Sequence, residues 1–152
     1  MQLLIEQLPH AFGLEKPFYA TADSAGADLL AAIHNDIVIP TGYRKLIPTG
    51  IKMELPQGFE AQIRPRSGLA LHHGITVLNA PGTIDADYRG EISVLLINLG
   101  EKPYTVQRGD RIAQMIISQV VQTDFKLGVL DMNTARGEAG YGSTGITMKM
   151  TA

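Results

Sequence analysis

Short apolar runs, each ended by glycine, proline, asparagine or aspartate, are the feature of this sequence that most constrains its fold. The interruptions recur about every eight to twelve residues, which is typical of strands joined by turns. Residues 59–64 alternate apolar and polar side chains, as in a strand with one wet face. Residues 75–78 and 92–97 are rich in β-branched residues and are bounded by turn residues. With 16 glycines and 8 prolines, the chain is predicted to be all-β, of the barrel or jelly-roll class.

The same pattern predicts one domain followed by an arm. Further strands are expected at 37–40 and 112–117, with one short helix at 68–73. A chain of 152 residues fits a single domain that buries roughly two-thirds of its unfolded surface. We place the β-domain at 1–132 and a flexible C-terminal arm at 133–152, because 133–145 is too small, polar and glycine-rich for a core strand. Such an arm could fold over a ligand.

Composition excludes several partner classes. The formal net charge is −2, with both signs interspersed, which argues against direct nucleic-acid binding. The N-terminus lacks a signal-peptide pattern, and no run approaches membrane-spanning length. The absence of cysteine is compatible with a reducing cytosol. We therefore expect a cytoplasmic protein without membrane contact.

Chemistry is concentrated in residues 82–91, which place carboxylates, an aromatic ring and an arginine between glycines. Strict alternation would put Asp85 and Asp87 on one face and Tyr88 on the other. A pocket that contains both Asp85 and Tyr88 therefore requires a turn, which Ala86 and Asp87 could supply. The plainer alternative is a charged hairpin tip.

Two neighbouring segments could hold a flat or anionic ligand. Asn79 ends a predicted strand, and Gly82 allows the backbone to turn closely around a base. Ser67 could cap the short helix, whose free amides and Arg66 would form an anion cradle beside Gly68. An ordinary helix cap beside a surface arginine is the alternative for that segment.

Two polar side chains lie in apolar contexts and need partners. Asp28 follows 25–27 in a strand-like segment, where an unpaired carboxylate is costly. It is expected either in a salt bridge or near a hydrated divalent cation. Gln114 is expected to bind phosphate or water, or to be a satisfied core amide. Asp110 is interpreted as structural, holding Arg111 or backbone amides.

The segment 136–145 combines consecutive amides with Arg136, two hydroxyls and Tyr141, so it resembles a phosphate-cradling loop. A flexible tail is the alternative. The histidines carry less weight, because adjacent His72 and His73 would point about 100° apart on a helix. These two, with His10 and His34, are assigned to the surface or to packing.

In order and spacing, five segments resemble the five motifs of the trimeric dUTPase (dUTP pyrophosphatase) family, from residue 25 to residue 145. These segments are 25–30, 65–70, 82–91, 108–114 and 136–145. The resemblance implies a dUTPase-like β-clip, a distorted antiparallel β-barrel. It also implies hydrolysis of dUTP to dUMP and pyrophosphate, which limits uracil incorporation into DNA and supplies dUMP for dTMP synthesis. It further implies a homotrimer, in which three chains build each site and a neighbour's arm closes it.

The resemblance also assigns roles to residues. Asp85 would be the general base, and Gln114 would join it in the catalytic set through a phosphate contact. Mg²⁺ would be held mainly by the triphosphate and water, with Asp28 in its outer shell. The implied substrate-binding residues are Arg66, Ser67, Gly68, Asn79, Gly82, Thr83, Tyr88, Arg136, Tyr141, Gly142, Ser143 and Thr144. Tyr141 stands where phenylalanine is more usual, which preserves stacking and adds a hydroxyl.

Other functions remain open at this point. A dCTP deaminase-like enzyme shares the fold and the triphosphate chemistry, but needs a pocket that accepts cytosine. A non-catalytic dUTP-binding regulatory module would bind without turnover. A structural or carbohydrate-binding jelly roll should ignore dUTP altogether.

Overall fold

A computed structural model describes residues 1–140, which form three antiparallel sheets, one α-helix and one 3₁₀ turn. The strands are β1 (Leu4–Gln7), β2 (Phe18–Tyr19), β3 (Ala27–Leu30), β4 (Ile37–Ile39), β5 (Arg44–Glu54), β6 (Phe59–Arg64), β7 (Ile75–Val77), β8 (Gly82–Ile84), β9 (Ile92–Asn98), β10 (Tyr104–Val106) and β11 (Arg111–Gln119). The helix α1 is Ser67–His73, and the 3₁₀ turn is Pro9–Ala11. The predicted all-β, jelly-roll-like class with one short helix is confirmed. The strands form separate sheets and do not close into one barrel.

The core lies between the two larger sheets, whose strand orders are β1-β5-β9-β7 and β2-β3-β11-β6-β8. β9 buries every second side chain, so that Ile92, Val94 and Leu96 face the core. From the other large sheet, β11 contributes Ile112 and Met115. Because β11 lies between β3 and β6, polar groups on those three strands are brought side by side.

The longest of these strands, β5, was not predicted from the sequence pattern. Pro48 and Gly50 lie within its 11 residues, and both normally argue against a strand interior. The structure accommodates them at a bulge, where the pairing with β9 shifts between Pro48 and Ile51. The strand therefore continues past residues that would usually end it.

Two compact units divide the chain, Met1–Gln122 and Thr123–Ala152. All the strands and the helix described above lie in the first unit, and residues 123–140 form only turns and irregular backbone. The boundary at 132/133 stays a prediction. Within residues 1–140, α1 is the longest helix, and none is long and apolar enough to cross a bilayer.

Candidate functional site

A tight turn follows β8, as the sequence predicted. The Tyr88 amide donates to the Asp85 carbonyl at 3.1 Å, which places Ala86 and Asp87 at the centre of the turn. Asp85 and Tyr88 consequently line the same cavity of about 310 Å³, together with Thr83. The carboxylate and the ring that alternation would have separated therefore face one space.

Local hydrogen bonds fix this turn. The Tyr88 hydroxyl donates to the Glu91 carbonyl at 3.1 Å, and Arg89 Nη1 donates to the carbonyls of Ala86 and Tyr88 at 2.7 and 3.0 Å. A Cβ on Gly90 would lie 2.3 Å from the Tyr88 hydroxyl oxygen, so only glycine lets the ring lie this close. The ring and the backbone of the turn are thus held in one arrangement.

The start of β8 is shaped by a second glycine. β7 ends at Val77, so Asn79 lies in the connection to β8 rather than at the strand end. Gly82 is buried, and a Cβ there would lie 3.2 Å from Asn79 Nδ2 and 3.4 Å from Ile63 Cβ. Gly82 therefore leaves room for the Asn79 amide against the strand.

A second cavity, of about 270 Å³, collects the other predicted residues. It is lined by Asp28, Arg66, Ser67, Gly68 and Gln114, among others. The strand register accounts for part of this grouping, because Gln114 of β11 is paired directly with Asp28 of β3. α1 begins close by and contributes Ser67 and Gly68.

Asp28 is buried at 5% exposure and carries two arginines. Arg66 Nε lies 3.0 Å from its Oδ1, and Arg111 Nη1 lies 3.2 Å from its Oδ2. Arg66 also donates through Nη1 to the Arg111 carbonyl at 3.0 Å. The expected salt bridge of Asp28 is confirmed, and it orients Arg66 at the cavity.

Gln114 is half-buried and satisfied by the backbone. Its Nε2 donates to the Pro65 carbonyl at 2.9 Å. A Cβ on Gly26 would lie 2.4 Å from Gln114 Oε1, so Gly26 is what makes room for this amide. The side-chain oxygen therefore lies against Gly26, directly before β3, beside the cavity that the two residues share.

The predicted cap at Ser67 is wrong. Arg66 is the N-cap residue, its carbonyl accepts from the Ala70 amide at 3.1 Å, and Ser67 is the first helical residue. Arg66 makes no side-chain capping hydrogen bond, because a guanidinium has only N–H donors and cannot accept from the helix amides. Its guanidinium instead contacts Asp28 and the Arg111 carbonyl. The structural interpretation of Asp110 is confirmed, since its Oδ2 accepts from the Gln107 amide at 2.8 Å.

One group near the second cavity has a perturbed acidity. Burial, and then the negative charge of Asp110, raise the pKa of the Tyr104 phenol above its ordinary value, while Arg66 acts in the opposite direction. Its ring also packs against that of His73, with centroids 5.1 Å apart. His73 is therefore a packing residue, as predicted.

Three residues that organise the candidate site were not identified from the sequence. Arg111 was assigned to Asp110 but pairs with Asp28, and the cost of an unpaired Asp28 was the only signal that it needed a cation. Glu91 was given no role, although its Oε1 accepts from the Gly50 amide at 2.7 Å. His10 was assigned to the surface or to packing, yet its Nε2 lies 2.8 Å from the same Glu91 oxygen.

The predicted arm is described only in part. Arg136 Nε donates to the Ala139 carbonyl at 3.0 Å, and the Ala139 amide donates to the Arg136 carbonyl at 3.1 Å. The remaining arm residues of the predicted site lie outside the described residues; these are Tyr141, Gly142, Ser143 and Thr144. Most predicted residues of the β-domain thus line one of two separate cavities, one around Asp85 and one around Asp28, whereas Asn79 and Gly82 are in the lining of neither.

Comparisons with known proteins identify a family. The dUTPase family model matches residues 14–145. A deoxyuridine 5'-triphosphate nucleotidohydrolase of Beijerinckia indica subsp. indica is 53% identical over 146 residues, which is 95% of this chain and 91% of that protein.

Solved structures support the fold alone, because their identities are low. A mutant dUTPase of Staphylococcus bacteriophage 80alpha with dUpNHpp aligns with a TM-score of 0.85 at 21% identity, covering 95% of this chain and 99% of that chain. A mutant dUTPase of phage phi11 of S. aureus, described with a structural Mg(II) ion, aligns at 0.75 and 20%, covering 88% and 100%. On the family match and the 53% identical relative, this chain belongs to the dUTPase family.

Proposed function

We infer that this chain hydrolyses dUTP to dUMP and pyrophosphate. The observation that carries the inference is the Asp85–Tyr88 turn, which directs a carboxylate and an aromatic ring into one cavity. Family membership and the name of the 53% identical relative support the same substrate. The reaction would limit uracil incorporation into DNA and supply dUMP, and we place it in the cytoplasm.

Asp85 is the general base of the proposed reaction. Its carboxylate is exposed, and among residues 1–140 it forms no ion pair. It orients a water molecule and takes its proton as the water oxygen bonds to the α-phosphorus. The bond from that phosphorus to the bridging oxygen then breaks, and pyrophosphate leaves. A positioned base of this kind contributes about 100- to 10,000-fold in rate.

The connection between β7 and β8 reads the nucleoside. Asn79, with Gly82 and Thr83, offers donors and acceptors that suit uracil, and close packing excludes the thymine methyl. Tyr88 packs against the deoxyribose, where a 2′-hydroxyl would collide with the ring. Its fixed position over Gly90 makes that exclusion effective. The ring cannot move aside cheaply, because its hydroxyl donates to the Glu91 carbonyl and the Tyr88 amide donates to the Asp85 carbonyl.

The second cavity binds the α- and β-phosphates. Arg66 uses Nε and Nη1 within the protein, and its remaining N–H donors are available to an anion. Ser67 and Gly68 present the first amides of α1. Gln114 contributes its side-chain amide to a phosphate or a water. Together these groups position the triphosphate relative to the attacking water.

Magnesium fits this site through water. Both Asp28 oxygens already contact arginine, and residues 1–140 contain no group of three or more His, Asp or Glu arranged to hold a metal. A carboxylate in this state retains lone pairs for a water of a hydrated ion, which is how Mg²⁺ is often held beside substrate phosphates. When bound, the ion neutralises charge on the phosphates and fixes their geometry. Asp28 keeps Arg66 oriented whether or not the ion is present.

We propose that a homotrimer brings the two cavities together. The Asp85 group and the Asp28 group line separate cavities of one chain, and a trimer would let the first cavity of one chain meet the second cavity of a neighbour. The arm residues Arg136, Ser143 and Thr144 would clamp the γ-phosphate of a neighbour's site. Tyr141, with the adjacent Gly142, would close over uracil.

The test is pyrophosphate release from dUTP, dCTP, dTTP and UTP in parallel, with Mg²⁺ present. We expect turnover of dUTP alone. Release of ammonia from dCTP would instead identify a deaminase. Binding of dUTP without turnover would identify a regulatory module. No binding of any of the four nucleotides would contradict both the hydrolase and the regulatory module.

A further inference from the structure

The bulge in β5 leaves a gap in the pairing beside the Asp85–Tyr88 turn. Pro48 pairs with Ser93 and Ile51 with Ile92, so Thr49 and Gly50 have no residue opposite them on β9. Thr49 fills part of the gap, since its hydroxyl donates to the Ile92 carbonyl at 2.6 Å. The Gly50 amide donates to a side chain, the Glu91 carboxylate, at 2.7 Å. Glu91 thus takes the place of a missing backbone acceptor.

The bulge is also pressed against the 3₁₀ turn. Gly50 has φ +65°, and a Cβ there would lie 2.2 Å from Ala11 Cβ. On this turn His10 Nε2 contacts the same Glu91 oxygen at 2.8 Å. The turn itself is held by Arg108, which donates to the His10 and Phe12 carbonyls at 2.7 and 3.0 Å. Glu91 therefore joins three segments that are distant in sequence.

The main chain of Glu91 contacts the Asp85–Tyr88 turn directly. Its carbonyl accepts the Tyr88 hydroxyl at 3.1 Å, and it directly precedes β9. It lines the cavity of Asp85 and Tyr88, and also a further cavity, distinct from that of Asp28, which His10 lines as well. A shift of Glu91 would therefore move the acceptor that holds Tyr88 and the backbone that follows the turn.

We propose that Glu91 is a positioning residue for the reaction, acting through Gly50 and His10 to hold the turn that carries Asp85 and Tyr88. This proposal rests on the proposed function. The role is one of reach rather than of charge, because the carboxylate must span from the residue before β9 to the Gly50 amide, which has no backbone acceptor on β9. A displacement of about 1 Å at a reacting group can cost about 100-fold in rate.

Two substitutions separate reach from charge. Glu91→Gln keeps the reach and loses the charge, whereas Glu91→Asp keeps the charge and withdraws the acceptor by about 1.5 Å, one carbon–carbon bond. We expect kcat for dUTP to fall roughly tenfold or more in Glu91→Asp and Glu91→Ala, with a smaller change in KM. Glu91→Gln should stay within about threefold of wild type, since an amide oxygen still accepts from Gly50.

Hydrogen exchange gives a readout that needs no turnover. The Gly50 amide should exchange faster in Glu91→Asp and Glu91→Ala, and at the wild-type rate in Glu91→Gln. Glu6→Ala is the matched control, because Glu6 lies on β1 beside β5 and its side chain makes, within residues 1–140, one exposed ion pair, with Lys52 at 3.6 Å. It should leave both kcat and Gly50 exchange unchanged.

The outcomes are distinct. If the wild-type protein does not hydrolyse dUTP, the proposed function fails. Gly50 exchange still tests whether the Glu91 side chain holds the Gly50 amide. If the wild type is active and Glu91→Asp retains its kcat, the positioning role is overturned. A kcat lost in Glu91→Gln but kept in Glu91→Asp would also overturn it, because charge would then be the requirement. Glu91→Ala is not needed for either decision should it fail to fold.

Discussion

Asp28 and Asp85 are both acidic residues of the predicted site, yet the structure treats them oppositely. Asp28 is buried and paired with Arg66 and Arg111. Asp85 is exposed, and within residues 1–140 it has no ion-pair partner. What holds Asp85 in place is the backbone of its turn, through the Tyr88 amide.

The two carboxylates therefore have different roles. A carboxylate whose two oxygens both contact guanidiniums fixes the direction of Arg66. A carboxylate without a cation keeps its lone pairs available to a water molecule. The same residue type thus organises the phosphate end at one position and supplies the proposed base at the other.

The largest expected effect follows removal of the free carboxylate. Asp85→Asn should lower kcat for dUTP by about 100- to 10,000-fold, because the amide cannot take the proton. Binding of a non-hydrolysable dUTP analogue should be retained. Asp87→Asn is the matched control, since Asp87 is exposed in the same turn, and it should remain close to wild type. Equal activity in Asp85→Asn would remove the base assignment.

The paired carboxylate should affect folding more than chemistry. Asp28→Asn weakens two charge-assisted contacts, and we expect the free energy of unfolding to fall by about 1.5–3 kcal/mol. The lower end is favoured because Arg66 and Arg111 are partly exposed. Urea denaturation measures this. A variant as stable as wild type, with a loss of kcat matching that of Asp85→Asn, would mean that Asp28 has the catalytic role instead.

Two glycines of the second cavity separate packing from ligand contact. A Cβ on Gly26 would meet Gln114, whereas one on Gly68 would meet no atom of residues 1–140 within 4 Å. Gly26→Ala should cost about 1–3 kcal/mol of stability through overpacking. Gly68→Ala should fold at least as stably as wild type, and still lose affinity for dUTP if a phosphate lies against the start of α1. Unchanged affinity in Gly68→Ala would place the phosphates elsewhere.

The smallest effect concerns the tyrosine beside the phosphate end. Because the pKa of Tyr104 is raised in the folded protein, its contribution to stability is complete below its unfolded pKa of about 10. That contribution is lost as the pH rises through the folded pKa. Tyr104→Phe should flatten this alkaline loss in thermal unfolding above pH 10. An identical alkaline profile in the variant would assign the loss to other groups.

The strands and the turn around Asp85 could be predicted from local sequence patterns. The alternation of 59–64 and the β-branched run at 92–97 correspond to β6 and β9, and the need for a turn between Asp85 and Tyr88 followed from strand geometry alone. These inferences required only neighbouring residues. Nothing in them depended on how distant strands pair.

The surroundings of Asp28 could not be predicted, because they depend on long-range strand pairing. The partners of Asp28 depend on the register of β3 with β11 and on where α1 begins, so Arg111 could not be selected from the sequence. The Glu91–His10 contact joins residues 81 positions apart. β5 was missed because its proline and glycine are compatible with a strand only at a bulge, which forms against β9.

The most direct test of the proposed division between the two cavities is a mixing experiment with Asp85→Asn and Gln114→Ala, each of which we expect to be nearly inactive alone. If each site takes Asp85 from one chain and Gln114 from another, co-assembly in equal amounts should restore about a quarter of wild-type dUTP hydrolysis. The double variant Asp85→Asn/Gln114→Ala, mixed with either single variant, should restore none. Activity equal to the sum of the separate variants, in trimers shown to contain both chains, would contradict a site shared between subunits.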